Sequence, residues 1–226
     1  VLFEDRYDTA ILRDYLSRRY LCASERACYD ALSPRRKRAW LNGRVAAKDA
    51  VRLWLKTRGI STVYPQEIRI ENDALGAPRL FSNVTTTLPG GLFVSISHKG
   101  HLAVAIVANE PVGIDLETIA VRDSDFMAMA FTVAERELLA DLDGDPAELA
   151  TRAWVAKEVA AKRSGRGLGG APHAWVISTH CGEAFKVNDC WVYSQKMKGH
   201  VLGWSLPDAL ADELVLSLAA SPEMAN

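Results

Sequence analysis

Two apolar runs meeting around a short polar turn constrain this chain's fold more than any other feature. "LFVSISHKG" and "HLAVAIVA" are joined around His98-Lys99-Gly100. Each run is rich in apolar and β-branched residues and has the length of a strand. The arrangement predicts a hairpin, and with it an antiparallel pair. On the N-terminal side the pattern changes period. Thr9 to Leu32 mixes apolar and charged residues at three- and four-residue spacing, which predicts helix. Ser33-Pro34 is a helix entry and Gly59 a stop, with a long stretch rich in Ala, Arg, Lys and Leu between them. "EIRIEND", Glu67 to Asp73, alternates like a strand, and "ALGAPRLF" turns after it.

Beyond the hairpin, Gly113 to Glu117 reads as a further strand. "FTVAERELLADL" opens on Thr132 with Glu135 three residues on, a capping box at a helix start. Another helix spans about Pro146 to Arg163 and is closed by "SGRGLGGAP". "HAWVIST", "DCWVYSQKM" and "ELVLSLAA" read as strands. Helices, strands, helices and strands in that order predict an α+β fold with mainly antiparallel sheets and packed helices. A proline-containing turn at 109–112 separates two helix-plus-strand sets, so the expected halves are 1–110 and 111–226. The sequence shows no internal repeat.

The totals exclude several classes. Of 226 residues, 49% are hydrophobic and 24% charged, which is ordinary globular composition. With 27 basic and 28 acidic side chains the net charge is −1, against a general nucleic-acid coat. No apolar run approaches the roughly 18 residues of a membrane helix, and the start lacks a signal segment. The expectation is a soluble, cytoplasmic protein with neither nucleic acid nor membrane as partner. Cys22, Cys28, Cys181 and Cys190 lack CxxC spacing and are expected as free thiols. The first residue is Val, which raises the expectation of a chain cut from a longer polypeptide, a trimmed tag being the alternative.

Chemistry concentrates in two short stretches. In "PVGIDLE", Asp115 and Glu117 stand two residues apart in a strand and so share a face. Like charges that close repel unless something positive lies between them, and a divalent cation is one answer. A solvated strand edge that discourages sheet pairing is the other. In "WVAKEVAAK", Glu158 and Lys162 are i and i+4 on a helix. Alone they could be a surface ion pair. Yet that helix is rich in Ala and Val, with few polar groups besides Lys157, Glu158 and Lys162. Three carboxylates offer hard oxygen ligands of the kind Mg²⁺ takes, with water and substrate phosphate completing the shell. Two lysines suit phosphate oxygens. His98, at a strand end, could donate to another phosphate or be a turn histidine without a task. "GRGLGG" trails its helix and lacks GxxxxGK[ST], so it is no phosphate loop.

"VGIDLE" followed by "WVAKEVAAKRSGRGL" resembles the paired signature of 4′-phosphopantetheinyl transferases of the surfactin-synthetase type, G-[IV]-D-x-E and then W-x-x-K-E-[AS]-x-x-K closing on G-x-G-[LF]. Val159 stands where Ala or Ser is usual. "SISHKG" resembles the family's S-[IL]-[SA]-H segment, and "LGAPRL" its G-K-P turn with Ala77 in place of the lysine. "LNGRVAAKDAV" resembles a helical segment of transferases joined to polyketide synthases. The resemblance runs from about Leu32 to Leu168.

It implies two similar α+β halves about a pseudo-twofold, with coenzyme A in the cleft between them. The implied reaction moves phosphopantetheine from coenzyme A to a serine of an apo acyl carrier protein and releases 3′,5′-ADP. Asp115, Glu117 and Glu158 match the Mg²⁺ ligands, and Glu158 would also be the base. Lys157 and Lys162 match phosphate-contacting lysines, Lys162 steadying the leaving phosphate. His98 matches the coenzyme A-binding histidine, with Ser97, Gly76 and Pro78 in the motifs beside it. Arg44 is the better candidate for a further phosphate contact, because Gly43 leaves room for close approach. The run Arg35-Arg36-Lys37-Arg38 does not single out one residue. Ala77 removes a cation that Arg79 would replace if it points the same way. A rim near 121–129 is expected to meet the carrier protein. Two other readings share these residues: a coenzyme A or carrier-protein binding module without turnover, and a Mg²⁺-dependent nucleotide hydrolase.

Overall fold

The structure is a computed structural model that describes residues 1–5, 9–60, 63–82 and 88–207. The chain divides into two compact units, Val1–Pro111 and Val112–Asn226. The first runs β1 (Leu2–Glu4), α1 (Ala10–Tyr20), α2 (Ala23–Ala31), α3 (Pro34–Lys56), a 3₁₀ turn (Pro65–Glu67), β2 (Ile68–Asn72), β3 (Pro78–Ser82), β4 (Phe93–Lys99) and β5 (Leu102–Ala108). The second runs β6 (Ile114–Thr118), α4 (Ser124–Ala130), α5 (Val133–Ala140), α6 (Pro146–Arg163), a 3₁₀ turn (Pro172–Ala174), β7 (Ile177–Cys181), β8 (Ala184–Val187), β9 (Cys190–Met197) and β10 (His200–Ser205).

Among the described residues the order is the same in both units: strand, three helices, 3₁₀ turn, four strands. Strand order repeats as well, β1-β5-β4 beside β2-β3 in the first unit and β6-β10-β9-β8-β7 in the second. Every described pairing is antiparallel. The fold is α+β, as expected. The repetition escaped the sequence because different side chains fill equivalent places.

The expected hairpin forms between β4 and β5, with Lys99 opposite Leu102 and Gly100 at φ +57. The helical stretch from Thr9 to Leu32 is corrected to two helices. Thr9 caps α1 by accepting from Leu12 N–H at 3.1 Å, and Leu21 and Cys22 break the run with extended backbone. Both residues at the break are buried, so packing overrides local periodicity there. "HAWVIST" is a strand only from Ile177; its start is the second 3₁₀ turn. "ELVLSLAA" lies outside the described residues.

Each unit packs one long helix on its sheet. α3 lies on β4 and β5 through Ala46, Ala47, Ala50 and Val51. α6 lies on β6, β8, β9 and β10 through Ala153, Ala156, Val159 and Ala160. Small side chains along the contact allow a close approach between backbones. All four cysteines are free thiols. No helix among the described residues is long and apolar enough to cross a membrane.

Candidate active site

The acidic stretch sits on β6, whose residue Asp115 is buried and pairs in register with Gly203 of β10. Glycine stands opposite it, close to α6. A Cβ on Gly203 would stand 2.4 Å from Val155 Cγ1 of α6, and one on Gly113 would stand 2.1 Å from the Val159 carbonyl oxygen. With both Cβ atoms missing, α6 settles against β6 and β10. Its residues 158 and 162 are thereby carried to the strand.

Lys162 Nζ donates to Asp115 Oδ1 at 2.6 Å and to the Ile114 carbonyl at 3.3 Å. Glu158 lies close enough to feel the other acids. Burial pushes its carboxyl above the usual value, the Asp115 charge adds to this, Lys162 opposes it and Glu117 raises it again. The structure thus brings Asp115, Glu117, Glu158 and Lys162 into one electrostatic cluster. Among the described residues, no three His, Cys, Asp or Glu side chains are grouped to hold a metal ion, so Asp115, Glu117 and Glu158 are not gathered as the ready-made ligand set that was expected. The donor set is all oxygen, and the mutual repulsion of its members is what a divalent cation would relieve.

Lys157 is a correction. Its side chain is fully buried, and its ammonium donates to the Ala130 carbonyl at 2.8 Å, to Glu135 Oε2 at 2.8 Å and to the Pro172 carbonyl at 3.2 Å. A lysine has three N–H donors, and all three are taken, so none is left for a phosphate. Burial lowers its pKa while Glu135 opposes the shift. Burial alone would push Glu135 up, but Ile177 N–H, Lys157 and Thr132 N–H hold it below the usual carboxylate value.

In the first unit a cleft of about 270 Å³ gathers most of the other expected residues: Arg44 on α3, Gly76 and Pro78 at the β2–β3 turn, and His98 on β4. Arg44 is buried, with its guanidinium 4.6 Å above the Trp40 ring and Nη2 donating to Asn72 Oδ1 at 3.2 Å. Its Nε is buried and donates to nothing among the described residues. Gly43 lines the cleft, but the space its missing Cβ leaves is occupied by Ile96, whose Cγ2 would stand 3.2 Å from a Cβ there.

Ser97 is not brought to the cleft. Alternation along β4 turns Ile96 and His98 toward the cleft, and Ser97 is buried outside its lining. Arg36 lines the cleft, while Arg38 Nε is held by Asp5 at 3.0 Å. Helical spacing carried this signal, since 36, 40, 43 and 44 fall on one face. Arg79 does not replace the missing lysine: it pairs with Asp73 at 2.8 Å and stands outside the cleft lining.

The sequence profile of the 4′-phosphopantetheinyl transferase superfamily matches residues 111–217. A holo-[acyl-carrier-protein] synthase from Streptococcus equi subsp. zooepidemicus (strain MGCS10565) is 38% identical over 96 residues, covering 42% of this chain and 76% of that one. The chain belongs to the 4′-phosphopantetheinyl transferase superfamily, a family of enzymes. Enterobactin synthase component D from Escherichia coli O157:H7 is also 38% identical, over 78 residues, covering 34% of this chain but only 38% of that protein's length. A crystal structure of a holo-(acyl-carrier-protein) synthase from Bacillus anthracis str. Ames, in complex with CoA (3′,5′-ADP), is similar at 28% identity and a TM-score of 0.38. That similarity covers 47% of this chain and 89% of the other. The superfamily match falls on the unit that carries Asp115, Glu117, Glu158 and Lys162.

Proposed function

We propose that this chain transfers 4′-phosphopantetheine from coenzyme A to a serine hydroxyl of an apo acyl carrier protein and releases 3′,5′-ADP. The observation that carries the reading is the convergence of Asp115, Glu117, Glu158 and Lys162 within the unit that the superfamily profile matches. Glu158, on α6 in the same cluster as Asp115 and Lys162, is the proton acceptor for the serine hydroxyl. The serine oxygen forms its bond to the phosphorus that bears the pantetheine, and the bond from that phosphorus to the bridging oxygen breaks. Negative charge then develops on the departing 3′,5′-ADP phosphate, where Lys162 stabilises it. Asp115 holds Lys162 ready through its 2.6 Å contact. Mg²⁺ held by Asp115, Glu117 and Glu158 would neutralise the pyrophosphate oxygens.

The Arg44 cleft of the first unit serves a further phosphate of coenzyme A, with Arg36 and His98 beside it. Arg44→Ala is expected to weaken coenzyme A binding by about 10-fold or more, in line with a charge-assisted hydrogen bond. Calorimetric titration checks this; an unchanged affinity would remove the cleft from the reading. Repetition of one element order in both units supports the surfactin-synthetase type, and "LNGRVAAKDAV" supports a chain joined to a polyketide synthase. We place the activity inside the cell, where coenzyme A and apo carrier proteins meet.

The carrier-protein rim is assigned to Val121 and Met129, both exposed. Phe126 within that segment is a poorer probe, because its ring packs on Trp154 at 5.2 Å and on Phe131 at 6.5 Å. Val121→Glu is therefore the cleaner variant. It is expected to raise the KM for carrier protein several-fold with coenzyme A binding unchanged, and equal kinetics would move the rim elsewhere.

Ala77 favours a second reading, a binding module without turnover, since a cation usual in the family is missing from the turn beside the cleft. Intact-protein mass spectrometry decides between them. An apo carrier protein incubated with this chain, coenzyme A and Mg²⁺ is expected to gain one phosphopantetheine, and EDTA is expected to prevent it. Coenzyme A binding without any gain on several carriers would establish the binding module.

A further inference from the structure

Each unit buries one lysine–glutamate pair at the same place in its element order. In the second unit Glu135 is the third residue of α5 and Lys157 lies on α6; in the first, Glu25 is the third residue of α2 and Lys48 lies on α3. All four side chains are at most 3% exposed. Four contacts correspond one by one, and the Lys157 bond to the Pro172 carbonyl is additional. Each glutamate accepts from the N–H of its own helix cap, Thr132 at 2.8 Å and Cys22 at 3.1 Å. Each accepts from the first strand after the 3₁₀ turn, Ile177 N–H at 2.7 Å and Ile70 N–H at 3.0 Å. Each accepts from the lysine of the long helix. Each lysine in turn donates to the last residue of the helix before the glutamate's own, the Ala130 carbonyl of α4 at 2.8 Å and the Tyr20 carbonyl of α1 at 2.6 Å. Four elements are tied at one point in each unit.

Those ties bear on the functional side chains. Lys157 immediately precedes Glu158 and lies five residues before Lys162 on the same rigid helix. Lys48 lies one turn after Arg44, and Ile70 lies two residues before Asn72, which Arg44 contacts. A buried ion pair is weak evidence for stability, because apolar residues of similar volume often fold as well. Its distinctive property is directional: hydrogen bonds fix the rotation and depth of a helix, which apolar packing leaves looser.

We propose that Glu135–Lys157 and Glu25–Lys48 are positioning pairs, the first setting α6 so that Glu158 and Lys162 meet Asp115, the second setting α3 and β2 so that Arg44 meets Asn72 in the cleft. The assignment rests on the phosphopantetheinyl-transfer reading for what the positioned groups do, but the pairs themselves are testable without it.

The test uses the full chain with Lys157→Met, Glu135→Gln and their double, and with Lys48→Met, Glu25→Gln and their double. The doubles matter because a single change leaves a buried partner charged and alone, and the protein can then fail to fold. Amide hydrogen exchange is expected to show lost protection at Thr132 and Ile177 in the second-unit variants, and at Cys22 and Ile70 in the first-unit variants. A displacement of reacting groups by about 1 Å lowers rates by about 10²-fold. The Lys157→Met/Glu135→Gln double is therefore expected to lose kcat by about 10- to 100-fold with the KM for coenzyme A within about twofold. The Lys48→Met/Glu25→Gln double is expected to raise the Kd for coenzyme A about tenfold while kcat at saturation holds. Lys157→Met that weakens coenzyme A binding, with Glu135→Gln silent, would make Lys157 a substrate ligand and overturn the proposal. Unchanged amide protection in every variant would overturn it as well. A wild-type chain that transfers nothing would instead sink the transfer reading, leaving hydrogen exchange and coenzyme A titration to decide the pairs.

Discussion

Gly113→Ala is expected to destabilise the second unit by about 3 kcal/mol, the upper end of the usual range for overpacking. Conformational freedom is not the reason, because Gly113 does not have a positive φ. Space is the reason. The added Cβ would stand 2.1 Å from the Val159 carbonyl oxygen and 3.0 Å from Arg163 N, where ordinary contact begins at 3.4 Å. Both atoms are backbone of α6 and cannot swing aside like the tip of a side chain. The strand cannot retreat either: Gly113 N–H donates to Ser205 Oγ at 3.0 Å, and Ser205 N–H donates back to the Gly113 carbonyl at 3.0 Å. Gly203→Ala is the internal control. Its clash is with Val155 Cγ1, a side-chain atom and not helix backbone, so a smaller loss of about 1–2 kcal/mol is expected. Urea unfolding of both variants measures the difference. A Gly113→Ala protein as stable as the parent would mean that β6 and α6 lie further apart than the structure places them, and the Lys162–Asp115 contact would be in doubt with it.

The same geometry shows what was legible in the sequence. Asp115, Glu117, Glu158 and Lys162 were identifiable because strand and helix periods alone put them on common faces, and both elements formed. The capping box at Thr132 was legible for the same local reason, and it forms as spelled. Lys157 was misread because its partner Glu135 is distant in sequence: nothing in "WVAKEVAAK" says which of two neighbouring lysines turns inward. The capping box held half of that answer, since a capping glutamate has a second oxygen to spend on another element. Ser97 is a different kind of miss. Its neighbour His98 lines the cleft, and the alternation of a strand already implied that both residues could not. The break at Cys22 was hidden because burial of Leu21 and Cys22, not helix propensity, decides it. Ala77 and Arg79 could be settled only by the turn itself, where Asp73 Oδ1 accepts from Leu75 and Ala77 N–H while Asp73 Oδ2 holds Arg79.

Glu117→Ala is expected to lower turnover by about 10²-fold or more while leaving stability within about 0.5 kcal/mol. The two halves of that statement have one cause. Glu117 is half-buried, and its charge pushes the Glu158 carboxyl up, so in the metal-free protein it adds repulsion to the acidic cluster. Removing it relieves that repulsion and opens little cavity at a partly solvated position. With Mg²⁺ bound, the same carboxylate would instead be a ligand, and its loss should raise the Mg²⁺ concentration needed for half-maximal transfer. Asp115→Ala makes the contrast. Asp115 is buried and holds Lys162 at 2.6 Å, so its removal strands an ammonium and should reduce stability as well as activity. Carrier-protein mass spectrometry across a Mg²⁺ series, run beside urea unfolding, separates the two variants. A Glu117→Ala protein with unchanged turnover and unchanged Mg²⁺ requirement would remove Glu117 from the metal site and leave it as a charge on the rim of β6.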